Sequence, residues 1–161
     1  MKNALFLVIG LVIIFGSIFL FFDPPARAGR YFVGEGRFMM LEINGVSIKA
    51  EIADTDGTRS KGLSGRESLG KGNGMLFVFD IPAQYGFWMS KMRFPIDILW
   101  MDENKRIVWI ERGVTSGSFP QVFSPSSDAL YVLELAANYS DELGAEIGTT
   151  VNFETQNVLN Q

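Results

Sequence analysis

"RFMMLEINGVSIKAEI", Arg37 to Ile52, decides the fold class of this chain. Two runs of strand-like character flank Asn44-Gly45, and Asn-Gly is the pair that supplies the positive φ angles of a tight two-residue hairpin turn. In the second run Val46, Ile48, Ala50 and Ile52 alternate with Ser47, Lys49 and Glu51, which gives a strand one buried and one wet face. Downstream, "TDGTRSKG" and "LSGRESLG" predict one or two short helical turns, with Ser64 and Glu67 at capping-box spacing and Gly62 and Gly70 as stops. Further strands are expected at 75–79, 86–89, 96–101, 106–112, 129–135 and 150–154. "DENK" at 102–105 separates two of them at hairpin distance, and "ANYSDELGAEIG" predicts a short helix stopped by Gly144. The long Ser, Gly and Pro segment 113–128 is a loop that either lines a site or crosses the surface. The expected fold is mostly β (α+β): a compact, antiparallel, barrel-like domain over 37–155 with a few short helices and a tail at 156–161.

Upstream, "DPPARAGRYFVGEG" at 23–36 has the Pro, Gly and Arg content of a linker. Before it, residues 4–22 carry no charge, and as a helix this stretch would reach about 28 Å, close to a bilayer's hydrocarbon thickness. Residues 1–22 are therefore expected to form one transmembrane helix ending at Asp23-Pro24-Pro25. Ala26-Arg27-Ala28 fits a signal-peptidase site, but the apolar run is longer than a signal peptide needs, so an uncleaved anchor is preferred. Lys2 favours a cytoplasmic N-terminus, whereas Arg27, Arg30 and Arg37 oppose that orientation. Either an anchor or a signal would export the C-terminal domain, so a single-pass membrane protein with an extracytoplasmic domain is expected.

With 161 residues, 47% of them hydrophobic and 20% charged, the chain suits one domain with a core of its own. A net charge of -4 gives no basic field for nucleic acid. The absence of histidine and cysteine excludes disulfides, thiolate zinc sites and every Ser-His or Cys-His mechanism within the chain. No metal site and no cofactor are expected. Met75, Met89, Met92 and Met101 lack the partners of a soft-metal site and are expected to fill gaps in the core. Asp54-Thr55-Asp56-Gly57 opens like a calcium loop without its later ligands. Ser68 and Lys71 have acyl-enzyme spacing, but Gly70 and Gly72 argue against the helix that motif needs.

The candidate chemistry lies in "GFWMSKMRFPIDILWM", 86–101. Alternation puts Phe94, Ile96, Ile98 and Trp100 on one face of a strand and Pro95, Asp97, Leu99 and Met101 on the other. Asp97 is then a lone carboxylate among apolar groups, and a buried charge needs a partner. Arg66, Lys91 and Arg93 are the expected cations; a carboxylate capping loop amides is the alternative structural role. Trp88, Trp100 and Trp109 offer a stacking surface for a flat ligand, although core packing is the commoner fate of such residues.

The stretches "EIADTDGTRSKGLSGRESL", "GMLFVF", "FWMSKMRFPIDILWMD", "YVLELAA" and "ELGAEIGTTVNF", in this order and spacing, resemble the domain of unknown function 192 family over about 41–154. The resemblance implies a compact β-rich domain, often exported or membrane-anchored in bacteria and archaea, with no established activity. Gly62, Leu63, Arg66, Gly74, Met75, Phe77, Phe79, Phe87, Trp88, Met89, Pro95 and Asp97 match its signature positions. Ser64 replaces a common methionine, and Lys91-Met92 replaces a common Asn-Thr. The expectation is a membrane-tethered, noncatalytic domain that binds a polar ligand or an envelope protein through Arg66, Trp88, Lys91 and Asp97. The alternative is an envelope carbohydrate hydrolase with Asp97 as acid or base, for which Asp54, Glu67 and Glu134 are candidate second carboxylates.

Overall fold

The structure, a computed structural model, describes residues 33–34 and 36–154. Among these residues no helix is long and apolar enough to cross a membrane. The expected anchor at 4–22 and the tail at 156–161 lie outside the described residues.

The domain is mostly β, a sheet curled into a half-barrel. In chain order the strands are β1 (Val33–Gly34), β2 (Gly36–Ile43), β3 (Val46–Ala53), β4 (Asn73–Ala83), β5 (Phe87–Trp88), β6 (Ile96–Met101), β7 (Ile107–Val114), β8 (Val122–Phe123), β9 (Ala129–Ala136) and β10 (Val151–Asn152). The main sheet runs β1-β2-β3-β4-β9-β6-β7, with β10 also on β2, and β5 pairs with β8 in a separate ribbon. Asn44 and Gly45 have φ of 48° and 81°, so the β2–β3 hairpin turns as their residue types predict. The segment before β10 also bonds to β7, through Ile107 N to Thr149 O at 2.9 Å and Gly148 N to Ile107 O at 2.7 Å. Residues 148–152 thereby tie β7 to β2 and draw the sheet into its curl.

The sheet is not wholly antiparallel, because β3 and β4 run parallel. A parallel pair needs a crossover, and residues 54–72, which carry helix α1 (Asp56–Lys61), provide it. The capping box of α1 is Thr55 with Thr58, not Ser64 with Glu67. Ser64 instead donates to the carbonyl of Ser90, and Glu67 pairs with Arg93. Helix α2 (Tyr139–Glu142) is short and is followed by Gly144 at φ 61°, as expected.

Two apolar clusters flank the sheet. The concave side holds Leu41, Ile48, Leu76, Leu99 and Leu133 with their neighbours. The convex side holds Met75, Phe77, Ile98, Trp100 and Val132, covered by the loops around Leu63 and Met89. Strand β6 is buried along its whole length, with Ile96, Ile98 and Trp100 in the second cluster and Leu99 and Met101 in the first. The alternation expected for this strand is therefore the one it adopts. Met75, Met89 and Met101 are core residues, as expected.

Candidate functional site

Asp97 is 0% exposed, yet no cation among the described residues pairs with it. Its Oδ1 accepts from the amides of Gly113 at 2.8 Å and Asn138 at 3.1 Å. Its Oδ2 accepts from the amide of Ser140 at 2.9 Å and from the Ser140 hydroxyl at 2.7 Å. The ion pair expected from the sequence is replaced by amide capping, and the reason is local geometry. Between the pairs Ile96↔Val114 and Ile98↔Glu111, the two residues Arg112 and Gly113 oppose Asp97 alone, a bulge that turns the Gly113 N–H toward the carboxylate. Asn138, at φ 65°, starts α2 without a side-chain cap of its own, and Asp97 takes that role from the neighbouring strand. The expected cations have other partners: Arg66 holds Glu51 at 2.6 Å, and Arg93 holds Glu67. Lys91 occupies a turn at φ 58°, where its carbonyl accepts from Gly65 N at 3.0 Å. With four donors on its two oxygens, the sealed Asp97 carboxylate braces the Gly113 bulge and the start of α2.

The convex side carries a pocket of about 410 Å³. Its wall runs from α1 and Gly62 through Ser64 to Phe77 and Phe79 of β4, then to Tyr85, Phe87 and Trp88. Of the four expected ligand-binding residues, Trp88 alone lines it. The three tryptophans have separate fates: Trp100 is core and donates Nε1 to the Tyr85 carbonyl at 2.9 Å, Trp109 donates to Glu111 at 2.9 Å, and Trp88 is 60% exposed. Trp88 is held edge-on against Phe119, with centroids 6.3 Å apart.

The aromatic wall is built locally. Phe77 and Phe87 meet edge to face at 4.8 Å, and Phe79 stacks on Tyr85 at 3.5 Å. Gly62, at φ 48°, ends α1 directly against Phe77, where a Cβ would come within 3.4 Å of the ring. Arg59 braces the same wall by donating to the carbonyls of Asp54 and Val78, both at 2.8 Å, while its guanidinium lies 5.3 Å from the Phe79 ring centroid.

Glu134 also lines the pocket and is its one chemically unsettled group among the described residues. It lies on β9 between Met75 of β4 and Ile98 of β6, and is 6% exposed. Its Oε2 is enclosed without a hydrogen-bond partner. Burial raises its pKa from 4.5 to about 8, and the positive charge of Arg66 only partly opposes that rise. At neutral pH the group is a protonated acid, able to donate, that ionises on modest provocation. The sequence contained the signal for it, since Glu134 interrupts "YVLELAA" as Asp97 interrupts "FPIDILWM". No cluster of three or more acidic side chains suited to a metal occurs among the described residues.

Several positions that carry the family resemblance converge here, with Gly62, Phe77, Phe79, Phe87 and Trp88 on the pocket wall and Arg66 acting on Glu134. Two solved structures share the fold. One, a protein of unknown function from Novosphingobium aromaticivorans DSM 12444, is 25% identical with a TM-score of 0.68, covering 79% of this chain and 94% of that one. The other, from Sinorhizobium meliloti 1021 and described as a candidate transcription regulator, is 23% identical with a TM-score of 0.66, covering 79% and 96%. No curated protein matches the chain. The model of the DUF192 family, described as "Uncharacterized ACR, COG1430", matches residues 39–153, and the chain belongs to that family.

Proposed function

We propose that this domain is a noncatalytic binding module, tethered to a membrane by residues 4–22 and held outside it, whose convex pocket captures a small molecule with an apolar body and one polar group. The observation that carries the reading is the unpartnered, buried Oε2 of Glu134 at an aromatic-walled cavity. An enclosed carboxyl without a partner costs stability, and such costs persist where a ligand later supplies the missing bond. The aromatic wall provides apolar contact area, and the single polar group sets orientation. The charge-free run at 4–22 supports the tether, and the absence of histidine and cysteine supports a noncatalytic role.

The test is Glu134→Leu, which removes the buried acid and keeps the volume roughly constant. The variant is expected to gain stability at pH 9, on the order of 2–4 kcal/mol by urea denaturation, and to lose ligand capture. A variant that loses stability and still binds the wild-type ligand contradicts the reading. Carbohydrate hydrolysis, with Glu134 in place of Asp97 as the acid, draws on the raised pKa alone. It also needs a second carboxylate, and Glu51, on the same cross-strand row, is held by Arg66.

A further inference from the structure

We infer that the pocket is selective for small organic cations, seating an ammonium group against Glu134 within the ring wall of Phe77, Tyr85, Phe87 and Trp88. This inference rests on the binding reading above and assigns its ligand a chemical class. Three observations point to it.

First, among the described residues the unpartnered acid is the only polar side chain that the main sheet contributes to the pocket, since the flanking wall from β4 is Phe77 and Phe79. A cation is the ligand group that gains most from a carboxyl enclosed in apolar surroundings. Second, aromatic walls attract cations through the negative faces of their rings, and quaternary ammonium groups are bound in this way by cages of several aromatic residues. The Phe79 ring is already engaged within the wall, with the Arg59 guanidinium 5.3 Å from its centroid and Tyr85 stacked on it at 3.5 Å, so the ligand cation meets the other rings. Third, the fixed cations nearby are engaged in ion pairs of their own, and Arg66 only partly offsets the burial of Glu134. Arg59 contacts Asp56 at 2.7 Å together with two carbonyls, and Arg66 contacts Glu51 at 2.6 Å. Lys61 lines the rim, where it is exposed and its charge is screened by solvent. Asp56 stands on the rim, Met75 and Ile98 on the adjoining strands are neutral, and beyond Ile98 on the same row Glu111 accepts from Trp109 Nε1 at 2.9 Å.

Capture is an exchange of charge. The protonated Glu134 releases its proton to water as the cation enters, leaving a carboxylate–ammonium pair with no net change in the charge of the pocket and its contents. Affinity therefore rises with pH until Glu134 is ionised in the free protein, and is level above that point.

The experiment is calorimetric titration of the full chain in nonionic detergent with three probes of similar size: benzyltrimethylammonium, benzyl alcohol and benzoate. The quaternary ammonium does not titrate, so any proton change belongs to the protein. Measured at pH 7 in two buffers of different ionisation enthalpy, benzyltrimethylammonium is expected to release about one proton per molecule bound, and to bind about tenfold tighter at pH 9 than at pH 7. Glu134→Gln is expected to weaken the cation by about tenfold or more and to abolish proton release. If benzyl alcohol or benzoate binds as tightly as the cation, or the cation binds without proton release, the cation assignment is overturned and the binding reading stands. If none of the three probes binds, both fail. The pH dependence of the wild-type chain decides the matter even if the Gln variant does not fold.

Discussion

Two buried carboxylates on adjacent strands have opposite roles, and the difference lies in what their oxygens touch. Asp97 is met by three amides and a hydroxyl, so its charge is solvated by the fold. Asp97→Ala leaves the Gly113, Asn138 and Ser140 amides without an acceptor, and an expected loss of about 3–5 kcal/mol should appear in urea denaturation. Arg66→Gln, which removes a partly exposed ion pair, is expected to cost under about 1 kcal/mol, a contrast that an Asp97–Arg66 pair would reverse. Glu134 has no such solvation. Its folded pKa lies above its unfolded value, so the folded state binds more protons between pH 4.5 and about 8. The protonated form's contribution to stability is therefore fully present below pH 4.5 and is lost as pH rises through about 8. The sequence made both acids visible by the same sign, a carboxylate inside an apolar run. It did not distinguish them, because the bulge at Gly113 and the turn at Asn138 that supply amides to one of them are long-range features.

At the scale of elements, the strands were legible wherever alternation or a paired turn marked them, as in the β2–β3 hairpin and β6. Two features were not. The parallel β3–β4 pair follows from the α1 crossover, and local propensity carries no strand direction. The two-residue β8, inside the loop at 113–128, is too short to show any period. Gly74 marks where β4 and β9 approach closely, because a Cβ there would lie 3.0 Å from the Glu134 carbonyl oxygen and 3.1 Å from Leu133 Cδ1 and Leu135 Cδ2. The oxygen is backbone within a ladder and cannot swing aside. Gly74→Ala is therefore expected to destabilise the domain by about 1–3 kcal/mol in thermal or urea unfolding. A Cβ on Gly86 would come closer still to Val122 Cγ1, at 2.7 Å, but that neighbour is an exposed side chain that can rotate away.

For the whole molecule, the curled sheet separates its two faces by task. The concave face is closed by apolar packing, while the convex face is covered by loops that leave an aromatic-walled cavity over β4 and β9. The sequence placed the site on β6 because "GFWMSKMRFPIDILWM" concentrates the unusual residues. Folding puts Trp88 at the mouth and Asp97 on the far side of the sheet, and draws the pocket's acid from β9. Binding, selectivity and the stability penalty all meet at one carboxyl group, so its titration is the most direct test. Carbon-13 NMR of the Glu134 carboxyl, assigned by comparison with Glu134→Gln, should show a midpoint at about 8. A midpoint near 4.5 would show that water or a neighbour already solvates the group, and would contradict the account.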